Sequence, residues 1–252
     1  MDRISNLFFD VPSQPIDGHT GKLLREHYRC AYLVETARNC SYELSKSDNR
    51  YQNLDRCDSP ALPISNEQRL SSDLNFSRLI LEDMVAIGGR LCSNAAYGSS
   101  SSEDSINDYL RDQLDAMGYE VLDQTRHGKS LSGIDAGEID LLIKKSGKER
   151  ALVEALKLRC VDTSKIKQHI KKALENYNPI GTPVFIIAYA SASSFSSFWN
   201  GFFKCAEVFI LDEYGQSVLK EEAQPNASTK IASTIVCRES YELPVFFIAF
   251  NL

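Results

Sequence analysis

Two acidic residues interrupt a pair of otherwise apolar segments in the middle of the chain. Asp140 lies in the segment GEIDLLI, and Glu154 lies in the segment LVEALKL, which also contains Lys157. A charged side chain is costly to bury unless it has a partner. Two carboxylates on adjacent strands are satisfied by a divalent cation with oxygen ligands. The pattern therefore predicts a cation site shared by two strands.

The surrounding sequence predicts the elements that would hold this site. Residues 106–117 have helical spacing and end at Gly118, and residues 119–124 have strand character. Residues 138–144 and 150–158 form a predicted hairpin, followed by a helix at 164–177 with Thr163 as its cap. The strand at 183–189 is apolar on both faces, which is typical of a central strand. A helix at 195–203 and strands at 230–238 and 245–250 complete the chain.

The order of these elements and the motif GEIDLLI…VEALKL resemble the PD-(D/E)XK nuclease superfamily. The resemblance covers about residues 103 to 190. Within the superfamily the segment is most similar to Mrr-like effector nucleases of bacterial antiphage defence systems. The resemblance implies an α/β, restriction-endonuclease-like core with a central mixed sheet flanked by helices.

The resemblance also implies roles for individual residues. Asp140 and Glu154 would bind Mg²⁺, with Mn²⁺ as a substitute, and the backbone carbonyl of Ala155 would add an oxygen ligand. Lys157 would lie beside the attacking water and stabilise charge on the phosphate. The implied reaction is hydrolysis of phosphodiester bonds, with DNA favoured over RNA as substrate.

The spacing of Glu154 and Lys157 departs from the family pattern of an acid, any residue and a lysine. Three positions separate the two side chains, so a regular strand would direct them to opposite faces. One explanation is a β-bulge at residues 155–156, which would bring Lys157 into the site. A second is that Lys129 replaces it. A third is that the domain is a catalytically inactive nuclease-fold subunit that binds nucleic acid or a partner protein.

Further polar residues near the motif are weaker candidates. The additional site candidates come from the preceding helix, the loop and strand after it, and the following helix: Glu103, Asp108, Gln124, Lys129, Glu138 and His169. The residues predicted to contact nucleic acid are Arg126, Lys129, Ser130, Lys165, Lys167, Lys171 and Lys172. Solvated faces and turn chemistry explain many of the same residues.

Composition restricts the class of protein. The net charge is −6, yet residues 126–172 contain 12 Lys and Arg against 6 Asp and Glu. A locally basic surface suits a phosphate backbone, although a solvated helix explains it equally well. Seven scattered cysteines without a Cys-x-x-Cys pair argue against disulfides and structural zinc. No apolar run approaches a membrane span, so we expect a cytoplasmic protein that does not contact membrane.

The first hundred residues lack a chemical motif. Residues 21–40 and the stretch from about residue 74 to 91 have helical spacing, and residues 45–65 resemble a polar loop. We therefore expect an N-terminal helical extension at 1–100, serving assembly or regulation, and a nuclease-like domain at 101–252. Resemblance to defence effectors implies a homo-oligomer or a complex with a regulatory defence protein.

Overall fold

The computed structural model describes residues 65–126, 138–145, 147–215 and 217–252, together with two short strands earlier in the chain. The chain divides into two compact units, Met1–Ile64 and Ser65–Leu252. In the first unit, β1 (Tyr42–Leu44) pairs antiparallel with β2 (Tyr51–Asn53). The helix predicted at 21–40 lies outside the described residues.

A seven-stranded mixed sheet is the centre of the second unit, and its strand order is β3-β4-β5-β6-β9-β8-β7. The three inner strands β5, β6 and β9 are parallel, and the other neighbours are antiparallel. The strands are β3 (Glu120–Arg126), β4 (Glu138–Lys145), β5 (Lys148–Leu158), β6 (Val184–Ala190), β7 (Lys220–Glu221), β8 (Thr229–Arg238) and β9 (Tyr241–Asn251). The short strand β7 was not predicted.

Helices cover both faces of this sheet. On one face lie α1 (Asn66–Ser93) and α2 (Glu103–Ala116), whose apolar side chains form a core with alternate residues of the inner strands. On the other face lie α3 (Thr163–Lys171), a π-helical turn (Lys172–Asn176) and α4 (Phe195–Tyr214). The prediction of an α/β fold with a mixed sheet flanked by helices is confirmed.

The central strand follows the prediction, and the helix predicted at 195–203 extends to Tyr214. All seven residues of β6 are buried, because β5 and β9 flank it and helices cover both of its faces. Phe198, Trp199 and Phe202 of α4 are buried in the core, as their helical spacing favours. The Trp199 indole N–H donates to Glu221 at 2.8 Å, which satisfies its one polar atom.

Local capping signals place several helix ends. Ser102 caps α2 by accepting the Ser105 N–H, and Gly118 follows the helix with a φ of 86° that glycine adopts readily. At α3 the predicted cap is wrong. Asp162, one residue before Thr163, accepts the Lys165 N–H at 2.9 Å, because its carboxylate reaches the free amide groups of the first turn.

Helix α1 belongs to the same compact unit as the sheet. Gly88 lies against the Phe250 ring so closely that an added Cβ would stand 1.9 Å from a ring carbon. The predicted boundary at residues 100 and 101 lies between α1 and α2, inside the second unit, whereas the observed division follows Ile64. Among the helices of the described segments, none is long and apolar enough to cross a membrane.

Candidate active site at the end of the β4–β5 pair

The site forms where β4 and β5 stop pairing. Their ladder ends at Leu141 opposite Val153, and beyond it the Ala155 N–H donates to Asp140 Oδ2 at 2.7 Å. A side-chain carboxylate thus takes the place of the next backbone acceptor. This exchange holds the Asp140 carboxylate against the edge of β5.

A second carboxylate lies along the same edge of β5. Glu103, the first residue of α2, accepts the Lys157 backbone N–H at 2.6 Å. Since Ala155 and Lys157 are two residues apart, their amide groups point to the same side of β5. The Lys165 ammonium lies 3.7 Å from Glu103 and partly offsets its charge. The structure therefore brings Glu103 to the site, as the sequence suggested.

Glu154 is completely buried on the face of the sheet that carries α3. Its Oε1 accepts a hydrogen bond from the Lys172 ammonium at 2.8 Å, and His169 Nδ1 lies 2.8 Å from the same oxygen without the alignment of a hydrogen bond. Among the residues that the structure describes, its Oε2 has no hydrogen-bond partner. An unsatisfied buried carboxylate oxygen is costly, so this atom marks a position at which a ligand would be stabilised.

Asp140 has an abnormal pKa. Burial raises the pKa of this carboxyl from 3.8 to about 7, and the negative charges of Glu154 and Glu103 raise it as well. The Ala155 N–H and the Lys172 ammonium act in the opposite direction but do not outweigh them. The ionised form of Asp140 is therefore destabilised in this surrounding, chiefly by the loss of hydration, and an added cation would stabilise it.

Lys157 does not enter this site, and the expected bulge is absent. Strand β5 pairs with β6 in unbroken register from Leu152 to Leu158, so Glu154 and Lys157 lie on opposite faces. The Lys157 ammonium donates to the carbonyls of Gly98 at 3.0 Å, Ser99 at 2.9 Å and Ser101.

The Ala155 carbonyl lies on the β4 edge of its strand. The N–H and the carbonyl of one strand residue point to the same edge, and the Ala155 N–H is directed at Asp140. The even-numbered residues of β5 face β6 instead, as the hydrogen bonds of the Leu152 N–H and the Leu158 carbonyl show. The oxygen that the resemblance assigned to the cation therefore faces the same edge as the Asp140 carboxylate.

The remaining predicted residues are distributed around the site. His169 and Lys172 contact Glu154, and Lys165 lies near Glu103. By contrast, the exposed Asp108 pairs with Arg111 at 2.8 Å, and Lys171 lies 3.7 Å from Glu175. Lys167 is partly exposed on α3. Outside the described residues and side chains lie Lys129, Ser130 and the side chains of Gln124, Arg126 and Glu138.

Two residues of the site escaped the sequence analysis. Tyr189, buried on β6, donates its hydroxyl to Asn107 of α2 at 2.9 Å. Burial raises the pKa of Tyr189, and the charges of Asp140 and Glu103 raise it further. A lone hydroxyl in the apolar run VFIIAYA was the available signal, but its partner was decided by packing.

The donor set is compatible with Mg²⁺. Within the described segments, no group of three or more His, Cys, Asp and Glu side chains is arranged to hold a metal ion. Mg²⁺ commonly retains several waters and binds through one or two carboxylates, so a complete protein cage is not required. The unpartnered Glu154 oxygen and the neighbouring Asp140 carboxylate meet that smaller requirement.

The chain was compared with protein-family models, curated proteins and solved structures, and nothing matched in any of the three.

Proposed function

We propose that this chain is a magnesium-dependent endonuclease with a PD-(D/E)XK-type core, acting on DNA. The unpartnered, fully buried Oε2 of Glu154 beside Asp140 is the observation that carries the proposal. The order α2, β3, β4, β5, α3, β6, with β5 parallel to β6, supports it because the family resemblance implies this order.

The proposed reaction is direct hydrolysis of a phosphodiester. The oxygen of a water forms a bond to phosphorus, the bond to one ester oxygen breaks, the water loses a proton to solvent and the departing oxygen gains one. Bound Mg²⁺ would lower the pKa of water and offset charge on the phosphate. Asp140 and Glu154 would hold the ion, and Glu103 would fix the edge of β5 beside them.

The biological setting is part of the same proposal. We infer an Mrr-like antiphage defence effector in the cytoplasm, restrained by self-association or by a regulatory defence protein. Lys165 lies on α3 next to the site, 3.7 Å from Glu103, where a phosphate backbone would pass. DNA and RNA share this backbone chemistry, and the proposal takes DNA as the substrate.

Cleavage of supercoiled plasmid DNA by the full chain tests the proposal. We expect cleavage with Mg²⁺ or Mn²⁺, none with EDTA, and a loss of at least about 100-fold in rate for Asp140→Asn and Glu154→Gln. Glu207→Gln, on α4 and paired with Lys204, is the matched control and should cleave normally. Circular dichroism verifies that each variant is folded. If the wild type and both site variants give the same cleavage result, the proposed nuclease activity at this site is rejected.

One observation favours a second function, that of an inactive nuclease-fold binding subunit. Lys172 and His169 already lie against Glu154, so protein groups compensate part of its charge without a metal. A protein of this kind would bind nucleic acid equally with Mg²⁺ or EDTA and would show no heat of Mg²⁺ binding in titration calorimetry. Mg²⁺ binding that disappears in Glu154→Gln would exclude it.

A further inference from the structure

We propose that Lys172, at the start of the π-helical turn, supplies the catalytic amine and that Lys157 anchors a loop. This inference rests on the nuclease function proposed above and identifies the cation within that site. It assigns Lys172 a role at the reacting phosphate rather than the general backbone contact expected from the sequence.

Contacts of Lys172 place its ammonium among the site carboxylates. Its Nζ lies 2.8 Å from Glu154 Oε1, and its charge also acts on Asp140. One fifth of the side chain is exposed, so a ligand can approach it.

Free donors remain on this ammonium. An ammonium group has three N–H donors, and Glu154 is the hydrogen-bond acceptor that Lys172 contacts within the described part of the chain. A water or a phosphate oxygen held near Glu154 could accept another. Tyr177 supports the group from one side, with its ring centroid 5.2 Å from Nζ.

The π-helical turn explains how a helix delivers this amine. The Tyr177 N–H donates to the Lys172 carbonyl at 3.0 Å, five residues back, which widens the helix at this point. His169 and Lys172 are three positions apart, so both side chains reach the same Glu154 oxygen. The Arg238 guanidinium donates to the Leu174 carbonyl at 2.5 Å and the Asn178 carbonyl at 2.8 Å and thereby supports the turn.

The Lys157 ammonium, unlike that of Lys172, has all of its donors in hydrogen bonds. Three carbonyls of the loop at residues 98–101 accept hydrogen bonds from its ammonium, which uses all three donors. It lies on the face of β5 opposite Glu154, and a regular strand provides no means of changing faces. Its position therefore suits a loop anchor in front of α2.

Four variants of the full chain separate these roles: Lys172→Met, Lys172→Arg, Lys157→Met and the exposed control Lys204→Met. Cleavage is measured at saturating DNA, DNA affinity in EDTA, and Mg²⁺ affinity without DNA by titration calorimetry. Lys172→Met should lower the maximal cleavage rate by at least about 100-fold and leave DNA affinity within about threefold. Lys157→Met should lower the rate by less than about tenfold.

Mg²⁺ binding adds a readout that does not depend on turnover. Lys172→Met removes a positive charge next to Glu154, so Mg²⁺ should bind several times more tightly, whereas Lys157→Met and Lys204→Met should not change its affinity. Lys172→Arg retains the charge and therefore the fold. It should still cleave at least about tenfold more slowly, because a planar guanidinium cannot occupy the position of an ammonium.

Two results would overturn the inference while the nuclease proposal stands. One is a wild type that cleaves, with Lys157→Met inactive and Lys172→Met near the wild-type rate. The other is a Lys172→Met variant that loses DNA affinity but keeps its maximal rate, since Lys172 would then only bind the backbone. If the wild type does not cleave with Mg²⁺ or Mn²⁺, the nuclease proposal fails and this inference fails with it.

Discussion

The charged residues on the two faces of β5 differ in how completely hydrogen bonds satisfy them. On the α3 face, Glu154 is completely buried, and one of its oxygens accepts from Lys172, whereas the other has no partner within the described segments. On the α2 face, Lys157 is only partly buried, and three loop carbonyls accept its donors.

This difference distinguishes a charge that hydrogen bonds within the chain satisfy from a charge that they satisfy only in part. A protein gains little from an incompletely satisfied buried group unless something else completes it, because the lost hydration is not recovered. Loop carbonyls accept all three donors of the Lys157 ammonium, so its surroundings explain why a lysine is present. Glu154 is not fully satisfied, and after burial its negative charge is the next cause of the raised pKa of Asp140. The incomplete face is where binding or chemistry is expected.

The largest effect should come from removing the cation that balances Glu154. Lys172→Met leaves a buried carboxylate with less compensation and should lower the free energy of unfolding by about 3–5 kcal/mol in urea titrations. Combining it with Glu154→Leu should recover most of that loss, because both charges are then absent. A double variant as unstable as Lys172→Met would show that the ion pair is not the cause.

The next effect concerns pH. The Asp140 carboxyl, with its pKa raised from 3.8 to about 7, keeps its proton in the folded protein where the unfolded chain has lost it. Unfolding therefore releases a proton between pH 4 and 7, and this group's contribution to stability falls as pH rises through that window and is level above it.

Asp140→Asn removes that pH dependence. At pH 8 the variant should be more stable than wild type by about 2–4 kcal/mol, and at pH 4 the two should be nearly equal. Addition of Mg²⁺ should narrow the difference at pH 8, because a bound cation stabilises the ionised carboxylates. Urea titrations at both pH values measure it, and a larger difference at pH 4 than at pH 8 would contradict the assignment.

The smallest effect belongs to the satisfied face. Lys157→Met removes three hydrogen bonds from a partly exposed ammonium and should cost about 1–2 kcal/mol. Amide hydrogen exchange should accelerate at residues 98–101 while β5 and β6 remain protected. Faster exchange around Glu154 with no change at residues 98–101 would contradict the assignment of Lys157 to the loop.

Local patterns predicted the elements because they depend on neighbouring residues. The 183–189 run without polar positions indicated a central strand, and β6 lies between β5 and β9 with every residue buried. The α3 cap was misplaced by one residue, since both Asp162 and Thr163 have capping side chains. The association of residues 66–93 with the sheet was missed, because contacts such as Gly88 with Phe250 join distant parts of the chain.

The sequence by itself determined that Asp140 and Glu154 interrupt two apolar strands, because the hairpin around residues 145–148 fixes them on neighbouring strands. It also determined that Glu154 and Lys157 would face opposite ways in a regular strand, which the unbroken register with β6 bears out. Only the tertiary structure decided which cation faces Glu154. Lys172 reaches it from another element through helix packing and a π-helical turn, and no spacing within β5 encodes that contact.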